Sequence, residues 1–176
     1  MSGTEREPHT APWKVALEAQ FGAAIDMLEN ALEACPPAIW DDAARPVQQR
    51  FWYLAFHTLF WLDFYLADSE DRFKPPPPFT LSELDPEGVY PEQAYTPAVL
   101  IGYLAHIRRR RKRVHAALDE TLAARPCGFR RREMSLLELQ HYNLRHVQHH
   151  VGQLQLLLRE GGARPPAWVG RAWRKA

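Results

Sequence analysis

Residues 51–67, FWYLAFHTLFWLDFYLA, put aromatic or aliphatic side chains on every side of a helix. A helix without a polar face must be surrounded, either by lipid or by other protein. A membrane span needs roughly 20 apolar residues, and this run is shorter and holds His57 and Asp63 within it. It is therefore expected to be a buried helix. One side would pack on its own core and the other on a long loop or a second subunit, so a homodimer is expected. At 176 residues the chain is long enough to bury a core, and a single domain over residues 1–176 is the expectation.

Three further helices follow from periodicity. Trp13, Leu17, Phe21, Ile25, Leu28 and Leu32 recur at spacings of three and four, giving a first helix over about 12–34 that "CPP" at Cys35–Pro37 ends. The apolar run belongs to a second helix over about 44–67. A third opens at Thr96-Pro97, an N-cap residue followed by proline, and runs to about 124. The fourth spans about 132–160 and closes at Gly161-Gly162. No segment alternates as a strand does, and no internal repeat is present, so the fold class is all-α.

Between the second and third helices lies DSEDRFKPPPPFTLSELDPEGVYPEQAY. This is too long for a hairpin turn, and four consecutive prolines stiffen part of it. A 20-residue helix is only ~30 Å long, so the segment can run back along one. The second and third helices would then be parallel, in a four-helix bundle of up-down-down-up order with one long crossover. Phe73, Phe79, Leu81, Leu84 and Tyr90 argue that the crossover is ordered.

Charge and cysteine content narrow the functions. A net charge of +1 gives no global attraction to nucleic acid or an acidic membrane. The first residues have no apolar stretch of the secretory kind. Two cysteines, Cys35 and Cys127, make no disulfide framework. A cytoplasmic protein with no nucleic-acid or membrane partner is expected. Cys127 in "RPCGF" has cations around it but no histidine near it in sequence, so it is expected to be inert.

The fourth helix carries His146, His149 and His150 in five positions. At 100° per residue, Leu139, His146, His150, Gln153 and Leu157 share one stripe, expected to face inward. On the second helix His57 is the only imidazole of the inner face. If those helices are antiparallel neighbours, His57, His146 and His150 reach one layer. Two histidines at i and i+4 plus one from a facing helix suit a first-row divalent metal with open positions for water or substrate. On spacing alone, the more ordinary reading of each histidine is a hydrogen-bonded core residue. Asn143 and Gln153 flank the pair and would either orient ligands or simply pack. Because the ligands must be neutral, metal would be lost as pH falls through the unperturbed imidazole range near ~6.5.

RHVQHHVGQL resembles the last-helix signature of the DinB-like superfamily, in which H-x-x-H-H-x-G-Q and relatives recur. FWYLAFHTLFWLDFYL is similar to that superfamily's second-helix segment with the first histidine, and ACPPAIWDD to its turn after helix one. The likeness spans nearly the whole chain. It implies the up-down-down-up bundle, frequent dimers and a metal held by His57, His146 and His150; imidazole chemistry suits zinc, nickel, iron and copper alike, with zinc, nickel or iron expected. Many relatives have arginine after the double histidine, where this chain has Val151. The resemblance also implies activities on small molecules, including thiol-cofactor S-transfer with a low-molecular-weight thiol. Hydrolysis by metal-bound water is the near variant. The alternative is a non-catalytic bundle whose metal serves folding, sensing or partner binding.

Other features leave choices open. Arg108–Arg113 places basic residues on every side of the third helix. Arg111 lies nearest the apolar stripe and would either hold a substrate anion or, preferentially, turn outward with Arg110 to Glu29 or Glu33. Gly22, Ala23 and Ala24 would leave room for substrate or allow close packing. The tail RPPAWVGRAWRKA would cover a bundle end or a neighbour.

Overall fold

The computed structural model describes residues 11–172. Six helices are present among them: α1 Pro12–Glu33, α2 Pro37–Trp40, α3 Phe51–Phe64, α4 Pro97–Ala117, α5 Glu120–Ala124 and α6 Leu136–Glu160. The described residues contain no strand; one isolated bridge joins Pro126 and Ser135. No described helix is long and apolar enough to cross a membrane.

The sequence bounds shift at three points, each for a local reason. The second long helix starts at Phe51 instead of about 44. Pro46 leads into a 3-10 turn over Val47–Gln49, and Arg50 is extended (ψ 147°) as the N-cap of α3. The third expected helix is two helices. Leu118 turns extended (ψ 124°), and Asp119 restarts α5 by accepting the Leu122 N–H at 2.7 Å. The fourth begins at Leu136 because Ser135 and Glu138 form a capping box, with Glu138 N–H to Ser135 Oγ at 3.2 Å and Ser135 N–H to Glu138 Oε2 at 2.7 Å. The Thr96-Pro97 start of α4 is as the sequence predicts, with Thr96 Oγ1 accepting the Val99 N–H.

Side-chain contacts fix how the long helices run. Lys14 of α1 reaches the carbonyls of Ala116 and Leu118 while Arg108 pairs with Asp26 and Glu29, so α1 and α4 are antiparallel. Phe56 lies against Tyr95, and Asp63 bonds Tyr103 and Arg110, so α3 and α4 run in the same sense. His57 meets His150 and Tyr65 meets Tyr142, so α3 and α6 are antiparallel. Gln148 sets α6 beside α1 at Met27.

The core fills with the periodic residues of each helix, including Phe21, Ile25, Leu28, Phe56, Leu59, Phe60, Leu104, Ile107, Val147 and Leu154, all fully buried. Each such side chain contributes about 1.5–3 kcal/mol by leaving water. The crossover covers the far side of α3. Phe73 packs edge-on to Phe60 and Phe64, and Phe79 stacks on Tyr103 with ring centroids 4.2 Å apart. The crossover thus supplies cover for the helix without a polar face, of which Tyr53, Leu54, His57 and Trp61 stay half-buried. The tail folds back along α1, where Ala172 N–H donates to Ala19 O and Gln20 to Gly170 O. At Gly22 an added Cβ would lie 2.6 Å from Ala172 Cβ. Of the two uses open to that small residue, the structure shows close packing.

Candidate metal centre

α3 and α6 bring His57, His146 and His150 together, with one candidate ligand atom from each within 4.8 Å of the others. The ring centroids of His57 lie 5.5 Å from His146 and 4.8 Å from His150, and those of His146 and His150 are 4.5 Å apart. The i, i+4 spacing on α6 supplies two of them, and the antiparallel approach of α3 supplies the third.

The position of the α6 pair differs from the inward stripe expected. The buried face of α6 is Leu139, Gln140, Asn143, Val147, Val151, Leu154 and Leu158. His146 and His150 each sit one residue before a core valine, so they flank that face at the seam with α3. Both are half-buried, and Gln153 is exposed. The cluster therefore borders solvent.

Each ring is oriented differently. His57 Nδ1 lies 2.6 Å from Glu83 Oε2, which makes it the donor to a carboxylate and leaves Nε2 with the lone pair. Glu83 also accepts from Tyr53 Oη at 2.5 Å and Trp61 Nε1 at 2.9 Å, and its side chain is only 4% exposed. Burial alone would raise its carboxyl, but the hydrogen bonds from His57, Tyr53 and Trp61 hold it below the ordinary value. His150 Nδ1 lies 2.6 Å from Gln153 Oε1, which accepts from it and likewise leaves the His150 Nε2 lone pair free. His146 Nε2 faces that nitrogen at 3.1 Å, while its buried Nδ1 has no partner.

Burial, reinforced by the neighbouring imidazoles and by Arg132, pushes His146 down to about 3. Burial also pushes His150 down to about 4, against the opposite pull of its bond to Gln153. Two of the three rings are therefore neutral far below the ~6.5 at which metal loss was expected from the sequence. Three converging imidazoles, His57 and His150 each hydrogen-bonded from behind through Nδ1, fit a first-row divalent ion. Among the described residues the group offers three candidate ligand side chains.

Other expectations fare differently. Gln153 touches His150 as described. Asn143 is fully buried and serves α3: its Nδ2 donates to Leu62 O at 3.0 Å, a carbonyl free because Leu66 N–H turns to Asp63 O. Arg111, the expected substrate anchor, is engaged by a carboxylate of the first helix. Its Nη1 pairs with Glu18 Oε2 at 2.8 Å across the α1–α4 seam, and Glu18 Oε1 lies 3.1 Å from His115 Nδ1. The expected outward partners are also corrected, since Arg110 turns to Asp63 and it is Arg108 that takes Glu29. Cys35 and Cys127 are free thiols. Burial raises Cys35 to about 12, and Cys127 is buried with Sγ 3.5 Å from Arg132 O.

The sequence reading missed Glu83. It lies 26 positions from His57 inside the crossover, where no spacing rule connects the two. The one available signal was an acidic residue between Leu81 and Leu84, in a segment already read as ordered. Tyr65, Tyr142 and Arg132, which border the cluster, were missed as well.

An all-helical chain that draws three histidines from two antiparallel helices into one half-buried group defines a class: helical proteins with an inter-helix histidine centre. The DinB superfamily model matches residues 20–154, a span that includes all three histidines, and the chain belongs to the DinB superfamily. No curated protein matches it.

Proposed function

We propose that the protein is a metal-dependent enzyme acting on a small molecule, with S-transfer from a low-molecular-weight thiol as the reaction class. His57, His146 and His150 would hold a divalent zinc, nickel or iron ion. The observation that carries this is the fixing of His57 by Glu83 and His150 by Gln153, each through Nδ1, with the opposite nitrogens left for a common cation. Hydrogen-bonded partners behind metal-ligating histidines set tautomer and ring angle. A bound divalent ion would supply Lewis acidity, lowering the pKa of a coordinated thiol or water toward neutrality.

The chain's own groups have separable tasks. Glu83 holds the His57 proton on Nδ1, while Tyr53 and Trp61 keep that carboxylate in place. Gln153 does the same for His150. Burial keeps His146 and His150 neutral, and the half-buried position of the three rings leaves an approach from solvent. Three ligands and a solvent-facing side favour an enzyme over a closed structural site, which more often has four protein ligands. The helix senses described above fit an up-down-down-up four-helix bundle, which forms part of the same proposal.

The test begins with metal analysis of purified protein and of His57→Ala. One ion per chain, lost in the variant, is expected. Thermal-shift measurements with thiols then follow, with and without metal. Thiols that stabilise metal-free protein as strongly as metal-loaded protein would end the S-transfer reading. A tightly held ion with no thiol or substrate response in any screen would favour the non-catalytic alternative.

A further inference from the structure

His57, Trp61 and Tyr65 recur at i, i+4 and i+8 along α3 and its C-terminal turn, and His150, His146 and Tyr142 recur at the same spacing back along α6. The two rows face each other: His57 is beside His146 and His150, Tyr65 is beside His146 at 6.3 Å, and Tyr65 is edge-on to Tyr142 at 5.3 Å between centroids. At the tyrosine end of this track stands Arg132. Its guanidinium carbon lies 4.9 Å from the Tyr65 ring centre and 4.3 Å from that of Tyr142, and Nη2 donates to Tyr65 Oη at 2.6 Å. Two rings and a hydroxyl thus hold a half-buried cation in one pose.

Arg45, Arg50, Arg108, Arg110, Arg111 and Arg130 each have a carboxylate partner, but none of the ion pairs among the described residues includes Arg132. An ordered guanidinium presents a planar fork of donors suited to bidentate recognition of a carboxylate. Arg145, also outside those ion pairs, borders an open recess of about 550 Å³ together with Tyr142, His146 and His149, so Tyr142 and His146 are reached from solvent beside a second cation.

We propose that Arg132, seated on Tyr65 and Tyr142, anchors the carboxylate of the small molecule whose reacting group sits at the histidines. This rests on the functional reading above and gives it a substrate class: a molecule with a carboxylate one to two helical turns, ~5–11 Å, from its reacting atom. The role sought at Arg111 falls to an arginine on the loop before α6.

The test uses zinc-loaded full-length protein at pH 7.5, titrated calorimetrically with 6-mercaptohexanoate, 6-mercaptohexanol, hexanoate and hexanol. Wild-type protein should favour each carboxylate over its alcohol by about tenfold or more, as expected for a charge-assisted hydrogen bond. Arg132→Gln should abolish that preference while keeping zinc stoichiometry and affinity, and Arg132→Lys should keep part of it. A carboxylate preference unchanged in Arg132→Gln overturns the proposal, as does wild-type protein that holds zinc and favours neither carboxylate. If hexanoate shows the Arg132-dependent preference and neither thiol binds more tightly than its thiol-free counterpart, the anchor stands and the S-transfer reading falls.

Discussion

Glu83 Oε2 accepts a hydrogen bond from His57 Nδ1 at 2.6 Å, joining the crossover to the histidine cluster. The carboxylate is enclosed by Tyr53 and Trp61 as well, so the crossover is part of the site and more than a connection between helices. Replacing Glu83 with Gln keeps the volume and removes the charge that orients His57. Zinc affinity should fall by about 10–100-fold, read by competition with a chromophoric chelator. Unchanged affinity would remove Glu83 from any role in the centre.

Stability should respond to acid through the two buried imidazoles. His146 and His150 lie at about 3 and about 4 in the folded chain, below the ordinary 6.5. Between those values the unfolded chain binds more protons than the folded one, so stability falls as pH drops from 6.5 toward 4 and levels off below 3. Glu18, lowered to about 2 because its bonds and charge contacts with His115 and Arg111 outweigh burial, acts in the same direction but only below 4.5. Urea midpoints of metal-free protein should therefore decline between pH 6.5 and 4.5, and much less so in the His146→Gln/His150→Gln double variant. Parallel curves for the two proteins would show that the imidazoles are not the cause.

Asp63 is fully buried and is held by Arg110 Nη1 at 3.0 Å and Tyr103 Oη at 3.1 Å. Asp63→Ala strands a largely buried guanidinium and should cost about 3 kcal/mol, the low end for a broken buried pair because Arg110 keeps some exposure. Adding Arg110→Met should recover part of that loss. Equilibrium urea unfolding decides it: equal stability of wild type and Asp63→Ala would mean the pair contributes nothing.

Gly22 gives way to Ala172, and Gln20 holds Gly170 nearby. Gly22→Val should lift the tail from α1 and speed tryptic cleavage after Arg171, while unfolding free energy moves by less than about 1 kcal/mol. Cleavage at the wild-type rate would show that the tail tolerates the bulk.

The helices themselves were legible in the chain because their signals are local. Apolar spacing in Leu17–Leu32, Thr96-Pro97 and Gly161 act within a turn or two, and the same arithmetic paired His146 with His150. Boundaries were less legible where two local signals compete. Asp119 caps a new helix inside an otherwise continuous pattern, and the Ser135–Glu138 box was readable but lay beyond an apparent start at Arg132.

The sequence by itself determined an all-helical chain, a second helix that had to be enclosed, and imidazoles at ligand spacing, because backbone periodicity and burial depend on neighbours in the chain. Only the tertiary structure decided that Glu83 stands behind His57, that Arg111 is bound to Glu18, that Asn143 caps α3, and that Arg132 sits on Tyr65 and Tyr142 outside the ion pairs of the described residues. Those pairings join residues distant in sequence, and hydrogen bonds and charges act over a few ångströms of space that no local pattern encodes.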